Sequence, residues 1–302
     1  MPSADPRQLQ ALLDATLDGI YSLDLEGRCT FINKAGARML GYAPEEILGQ
    51  NFHGLSHHSR PDGSPYPEDE CPIYRARADA KPVAGEDEVF WRRDGSSFPV
   101  AYSASPVFVD GRLQGLVVIV SDVTTQKKAA RLFSIQHAVS DVLARATTFR
   151  QAAPELLRAL GEVLDWQFGA VWQVDEDANL LYGVASWHAP GLDARKLEED
   201  TRTRTFSRGE GIPGRVWDTG EPVWSANVTE ETDFLRAHLA DEEGLPGAAF
   251  FPILMGTQVL GVVEFFGQKA PEADRSLLRA LRTVGHQVGQ FIRRERAQEE
   301  LR

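Results

Sequence analysis

Gly19-Ile20-Tyr21-Ser22-Leu23-Asp24 alternates apolar and polar side chains with the period of a half-buried strand. Leu25-Glu26-Gly27-Arg28 reads as a hairpin turn, and Cys29-Thr30-Phe31-Ile32 returns as a second strand. Asn33 follows, a short polar residue suited to capping a helix over residues 35–40. Upstream, residues 9–17 carry apolar side chains at helical spacing. Downstream, short helical turns are predicted at 44–48 and 52–55, a Pro-, Gly-, Asp- and Ser-rich loop over 57–72, and a helix at 73–79. Three further strands, 86–92, 97–108 and 113–122, are separated by Asp94-Gly95 and Asp110-Gly111, both strong hairpin turns. This order predicts one five-stranded antiparallel sheet with helices on one face.

Beyond it, Leu132, Ile135, Val139, Val142 and Ala146 recur at spacings of three, four, three and four. That is a heptad seam of about two heptads, open to coiled-coil pairing or to packing on a neighbouring domain. A second amphipathic helix is predicted at 149–164, then strands at 168–174 and 180–187 and a polar excursion to Ser207. A glycine-rich turn and short helix at 209–219, a strand at 222–225 and a helix at 234–243 come next. A strand pair at 248–255 and 258–266 precedes a last helix from 274 to 302, roughly 43 Å long at the α-helical rise. Leu281, Val284, Val288 and Phe291 continue a heptad-like stripe on it, and residues 293–300 are nearly all polar. The fold class expected is α+β, with two domains that each have a central antiparallel β-sheet flanked by helices.

A length of 302 residues fits two domains at about 150 residues each. With 42% hydrophobic and 25% charged residues, the chain can fill two modest cores, which excludes wholesale disorder. The net charge of -12, with no basic patch, argues against a nucleic-acid partner. Two cysteines, Cys29 and Cys71, cannot make a disulfide scaffold or a four-thiolate zinc motif, and a reducing cytoplasm is the expected location. No signal peptide and no uncharged apolar run of roughly 18 residues is present, so no membrane span is expected in this chain.

Residues 8–125 resemble the PAS sensory domain. The resemblance is carried by Asp18-Gly19-Ile20, Asn33-Lys34-Ala35, Leu40-Gly41-Tyr42, Arg93-Asp94-Gly95 and Asp122-Val123-Thr124. Residues 131–296 resemble the GAF sensory domain. Here it rests on Trp187-His188-Ala189-Pro190, the run Gly209-Glu210-Gly211-Ile212-Pro213-Gly214-Arg215-Val216-Trp217, Gly220-Glu221-Pro222-Val223-Trp224, Phe251-Pro252-Ile253, Leu260-Gly261-Val262 and Glu264-Phe265-Phe266. The implied organisation is a PAS domain at 1–125, a connecting signalling helix at 126–148, a GAF domain at 149–296 (131–148 packing with it), and the start of a C-terminal extension at 297–302. The resemblance implies that Asp122 and Thr124 couple the PAS sheet to the outgoing helix. It also implies that the C-terminal helix leads to a kinase or cyclase output domain, in cis or in trans.

The chain itself offers no catalytic site. His137-Ala138-Val139 and His286-Gln287-Val288 lack the acidic neighbour and proline of a kinase phosphoacceptor, and kinase, P-loop and diguanylate cyclase motifs are missing. Candidate PAS pocket residues are Tyr21, Asn33, His53, Tyr74 and Tyr102. Candidate GAF pocket residues are Trp172, Trp187, Arg215, Trp217 and Phe251, with core packing the competing role for the aromatics. His53, His57, His58 and Cys71 are ligand types for zinc or haem iron. They lie in what looks like an insert of one PAS subgroup, and no metal is assigned to them. Neither cysteine has the Asn-Cys-Arg context of a photoactive flavin site, and residues 131–296 hold no cysteine for covalent bilin, so neither chromophore is expected and the cofactor is left unknown. The function expected is a cytoplasmic, homodimeric sensory module of a bacterial signal-transduction protein, acting on a histidine kinase in response to a small molecule or partner. The alternatives are a ligand-free dimerising scaffold, a haem or redox sensor, or a regulator of a diguanylate cyclase.

Overall fold

In the computed structural model, residues 5–231, 233–270 and 274–300 are described. The chain divides into two units, with the boundary between Lys128 and Ala129. In the first, the alternation around Gly19 and Cys29 becomes strands β1 (Gly19–Leu23) and β2 (Cys29–Ile32), joined later by β3 (Val83–Trp91), β4 (Ser97–Val109) and β5 (Arg112–Asp122). The sheet order is β2-β1-β5-β4-β3, every neighbouring pair antiparallel. The period of two sends Leu116, Val118 and Val120 of β5, and Phe98, Val100, Tyr102 and Ala104 of β4, into one buried face. After α1 (Pro6–Asp14), the chain supplies that core with α2 (Lys34–Leu40), α3 (Pro44–Ile47), α4 (Phe52–Ser56) and α5 (Pro72–Asp79).

The second unit takes in most of α6 (Thr124–Arg145), then α7 (Phe149–Leu164), β6 (Phe168–Asp175), β7 (Leu180–His188), α8 (Arg195–Thr203), β8 (Thr205–Ser207), α9 (Gly211–Thr219) and β9 (Val223–Ser225). A 3-10 turn (Val228–Glu230), α10 (Ala237–Glu242), β10 (Gly247–Met255), β11 (Gln258–Gly267) and α11 (Arg275–Glu300) complete it. Its sheet order is β8-β7-β6-β11-β10-β9. Both faces are buried. Phe168, Ala170, Trp172, Val262, Phe266, Ala248 and Phe250 form one core with residues of α8, α9 and α10. Val171, Val263, Phe265, Ala249, Phe251 and Ile253 form the other with α6, α7 and α11. Helix α11 lies so close to β10 that a Cβ at Gly285 or Gly289 would run into the carbonyl oxygens of Pro252 and Leu254.

One expectation changes, and of two open alternatives one is selected. The polar excursion before Ser207 contains α8 and β8, which sequence periodicity misses because Arg195–Thr203 buries only Leu197 and Thr201. The heptad seam is not free for pairing between chains. Ile135, Val139 and Val142 are buried in the second unit's own core, with Leu132 and Ala146 packed against it, and Leu281, Val284, Val288 and Phe291 join the same core. A sheet buried on both faces needs helical cover on each, and these stripes provide it on one. The predicted end of the last helix, at 301–302, lies outside the described residues.

Candidate functional site

In the first unit, helical spacing of four places His53 and His57 on the same side of α4 and its C-terminal cap. Cys71 is the N-cap of α5 and makes no capping bond, so its sulfur is available to other partners. Cys71 Sγ lies 3.3 Å from His57 Nδ1, and His57 Nε2 lies 3.0 Å from Glu88 Oε2 on β3. Tyr66 donates its hydroxyl to Glu88 Oε1 at 3.1 Å, and its carbonyl oxygen accepts from His53 Nε2 at 2.7 Å. His53 Nδ1 is buried without a hydrogen bond. The ligand atoms of His53, His57 and Cys71 all lie within 4.8 Å of one another, and the three residues are 4%, 2% and 0% exposed.

The electrostatics follow from this packing. Burial raises the Cys71 thiol pKa, but the His53 and His57 rings beside it outweigh burial and bring it down to about 6. Burial lowers His57, and its bonds to Cys71 and Glu88 lift it instead to about 9. The pair therefore favours thiolate and imidazolium over two neutral groups.

The other PAS candidates divide. Tyr74 donates to the Gly27 carbonyl at 3.0 Å and accepts from the His53 backbone N–H at 3.3 Å. Tyr21 stacks on Phe52 at 3.9 Å between centroids, its hydroxyl buried without a hydrogen bond. Tyr102 is buried in the same core. Asn33 is not part of this group. It caps α2 through Gly36 N, accepts from Ile20 N, and donates to Thr16 Oγ1 and to the carbonyls of Leu13 and Asp18. His58 is also outside, exposed, bonded to Ser59 Oγ at 2.7 Å and stacked on Trp91.

The five GAF candidates do not meet in one cavity, because the period of two sends strand neighbours to opposite faces. Trp172 and Trp217 belong to the core under α8, α9 and α10, Phe251 and Trp187 to the one under α7 and α11. Arg215 is partly exposed, 3.9 Å from both Glu231 and Asp233. The polar centre lies elsewhere. Arg236 is fully buried, its guanidinium 5.2 Å from the Trp172 ring centroid and ion-paired with buried Glu264. Its Nε pairs with Asp200 at 2.8 Å, and its Nη2 donates to Thr201 Oγ1 at 2.8 Å and to the Leu197 carbonyl at 3.0 Å. Burial pushes the Glu264 carboxyl pKa up, and Arg236 pulls against that shift.

At the end of the PAS sheet, Asp122 Oδ1 accepts from Thr124 N at 2.9 Å and from Thr124 Oγ1 at 2.5 Å, capping the start of α6. Asp122 Oδ2 pairs with Arg92 at 3.1 Å, and Arg92 also donates to the Met39 carbonyl. Burial works against the Asp122 charge, yet Thr124 and Arg92 together hold its carboxyl below the usual range.

Glu88, Asp200 and Arg236 were not singled out from sequence. Glu264 gave one usable signal, a charge in a strand that is otherwise buried and apolar from Val259 to Gly267. Arg236 and Asp200 reach it from distant loops and helices, a proximity that local spacing cannot encode.

Comparison with known proteins agrees with the architecture. The family described as PAS fold matches residues 7–123, and that described as GAF domain matches residues 146–293. The chain is 27% identical over 215 residues to the probable diguanylate cyclase DgcE of Escherichia coli (strain K12), covering 70% of this chain and 19% of that protein. It is 32% identical over 168 residues to the Nif-specific regulatory protein of Azospirillum lipoferum, covering 54% and 26%. It is 28% identical over 195 residues to the C4-dicarboxylate transport sensor protein DctS of Rhodobacter capsulatus, covering 62% and 29%. The chain thus spans less than a third of each of these relatives. Two antiparallel sheets with their helices, matched in order over most of the sequence, place the chain in the PAS and GAF families, with a PAS domain followed by a GAF domain.

Proposed function

We propose that the chain is the cytoplasmic sensory part of a bacterial signal-transduction protein, in which a small ligand or partner alters the PAS or GAF domain and the change passes through helices to an output domain, a histidine kinase. The observation that carries this reading is the junction at Asp122. One carboxylate joins Arg92, beyond the end of β3, to the first turn of α6, so a shift of the sheet changes how the helix begins. A twofold choice between helix arrangements needs little energy, since a tenfold change in population is about 1.4 kcal/mol. No helix among the described residues is long and apolar enough to cross a membrane.

Dimerisation belongs to the proposal, but not through the heptad stripes. Side chains left exposed, such as Leu9 and Leu12 of α1, are the apolar groups available for it. The likeness to DgcE favours a second output, a diguanylate cyclase. Fusing residues 1–302 to a histidine-kinase core and, separately, to a diguanylate cyclase core tests both. Asp122→Ala should change basal output of the responsive fusion about tenfold with the far-UV circular dichroism unchanged. Equal output from wild type and variant in both fusions would count against the relay.

A further inference from the structure

We propose that His53, His57 and Cys71 form a binding site for a zinc-class transition-metal ion, with His53 Nδ1, His57 Nδ1 and Cys71 Sγ as its protein ligands. One ligand atom from each of the three residues lies within 4.8 Å of the other two. Ligands on one tetrahedral zinc are separated by about 3.4–3.6 Å, as follows from the usual metal–nitrogen and metal–sulfur bond lengths. The 3.3 Å between Cys71 Sγ and His57 Nδ1 is already near that spacing.

The imidazoles are oriented as metal ligands are. A ligating histidine gives its other N–H to a carbonyl or carboxylate, which fixes the tautomer and aims the bare nitrogen at the ion. His53 Nε2 faces the Tyr66 carbonyl, which can only accept, so the proton sits on Nε2 and Nδ1 presents a lone pair. His57 Nε2 likewise faces the Glu88 carboxylate, so its Nδ1 becomes bare once the proton shared with Cys71 leaves. A cysteine nucleophile with one histidine partner would not account for the second ring, whose buried Nδ1 has no hydrogen bond.

Two imidazoles and a thiolate suit zinc, copper(I) or iron(II) rather than the oxygen-seeking calcium and magnesium. With His58 turned outward, the fourth position is left to water or an exchangeable ligand. One thiolate leaves a bound dication with a single excess charge, which the Glu88 carboxylate offsets from behind His57. Binding replaces the one proton shared between Cys71 and His57, so one proton is released per ion and no electrons move. The segment between His57 and Cys71 is mostly exposed, and its opening would admit the ion. The proposal stands on these side chains alone and is independent of the output domain.

The test is cobalt(II) titration of the whole chain after chelator treatment, followed by absorbance. We expect one cobalt per chain, with a thiolate-to-metal charge-transfer band, tetrahedral ligand-field bands, and displacement by zinc. Cys71→Ser should abolish the charge-transfer band, and Glu88→Gln should weaken binding about 10–100-fold. His58→Ala should bind like wild type. Cobalt bound without the thiolate band, or equally by Cys71→Ser, would mark surface histidines and overturn the site, as would no stoichiometric binding. Should a variant fail to fold, the wild-type spectrum still decides.

Discussion

Arg236 and Glu264 in the GAF unit are as buried as His53, His57 and Cys71 in the PAS unit, yet the two groups resolve the cost of burial differently. Arg236 meets Glu264 and Asp200, and Arg204 also pairs with Asp200, so acidic and basic groups face one another among the protein's own side chains. In the PAS group Cys71 and His57 share a proton with Glu88 behind the ring, and His53 Nδ1 is left buried without a partner. A buried cluster whose acidic and basic groups face one another acts as a strut. One whose nitrogen and sulfur atoms converge with few donors between them is suited to take something in.

The largest effect expected is on the strut. Arg236→Met leaves Glu264 buried without its partner and should destabilise the GAF unit by about 3–5 kcal/mol. Five of the six tryptophans, all but Trp91, lie in this unit, so the denaturant midpoint of tryptophan fluorescence follows it. Adding Glu264→Leu to Arg236→Met should recover most of the loss, and a double variant as unstable as the single would refute the charge-balance account. Next comes Asn33→Ala, which strands the backbone donors of Ile20 and Gly36 and leaves the Leu13 and Asp18 carbonyls with only the Thr16 hydroxyl between them. A loss of about 2–3 kcal/mol is expected, at one to several unsatisfied groups, confined to the PAS transition in thermal circular dichroism. Little loss there would mean that water replaces the side chain, and that Asn33 is no strut.

These two variants also separate what was legible in the sequence from what was not. Strand alternation from Gly19 to Ile32 and the Asp-Gly turns encode the PAS sheet locally, and the capping role of Asn33 follows from its place before a helix. The histidines stand four apart, so their shared side of α4 could be read. Their meeting with Cys71 could not, because it depends on how residues 58–70 close. The heptad spacing of Leu132 to Ala146 records an apolar face but not what covers it, and here its cover is the chain's own sheet. Trp172 and Phe251 are alike as candidates for a pocket or for the core, and strand parity sends them to opposite faces. Arg236 carried no local signal at all, since an arginine beside a short helix reads as surface until the fold brings Glu264 and Asp200 to it.

The smallest effect concerns the junction outside both clusters. Asp122 has its carboxyl held below the ordinary value of 3.8, as Thr124 and Arg92 outweigh the opposing effect of burial. A carboxylate whose pKa is depressed on folding contributes stability above its unfolded value, and the contribution is lost as pH falls through the lower folded value. Asp122→Asn should therefore melt below wild type at neutral pH, with the gap closing under acid, where the wild-type group becomes protonated too. Because the group is partly exposed, solvent screening limits the gap to less than about 1 kcal/mol, and added salt should narrow it. Amide exchange locates the change: the first turn of α6 should exchange faster in the variant, while Ile135, Val139 and Val142, anchored in the GAF core, should not. A gap that ignores pH would assign the role of Asp122 to the shape of its cap rather than to its charge, and would remove the electrostatic part of the relay while leaving the helix start intact.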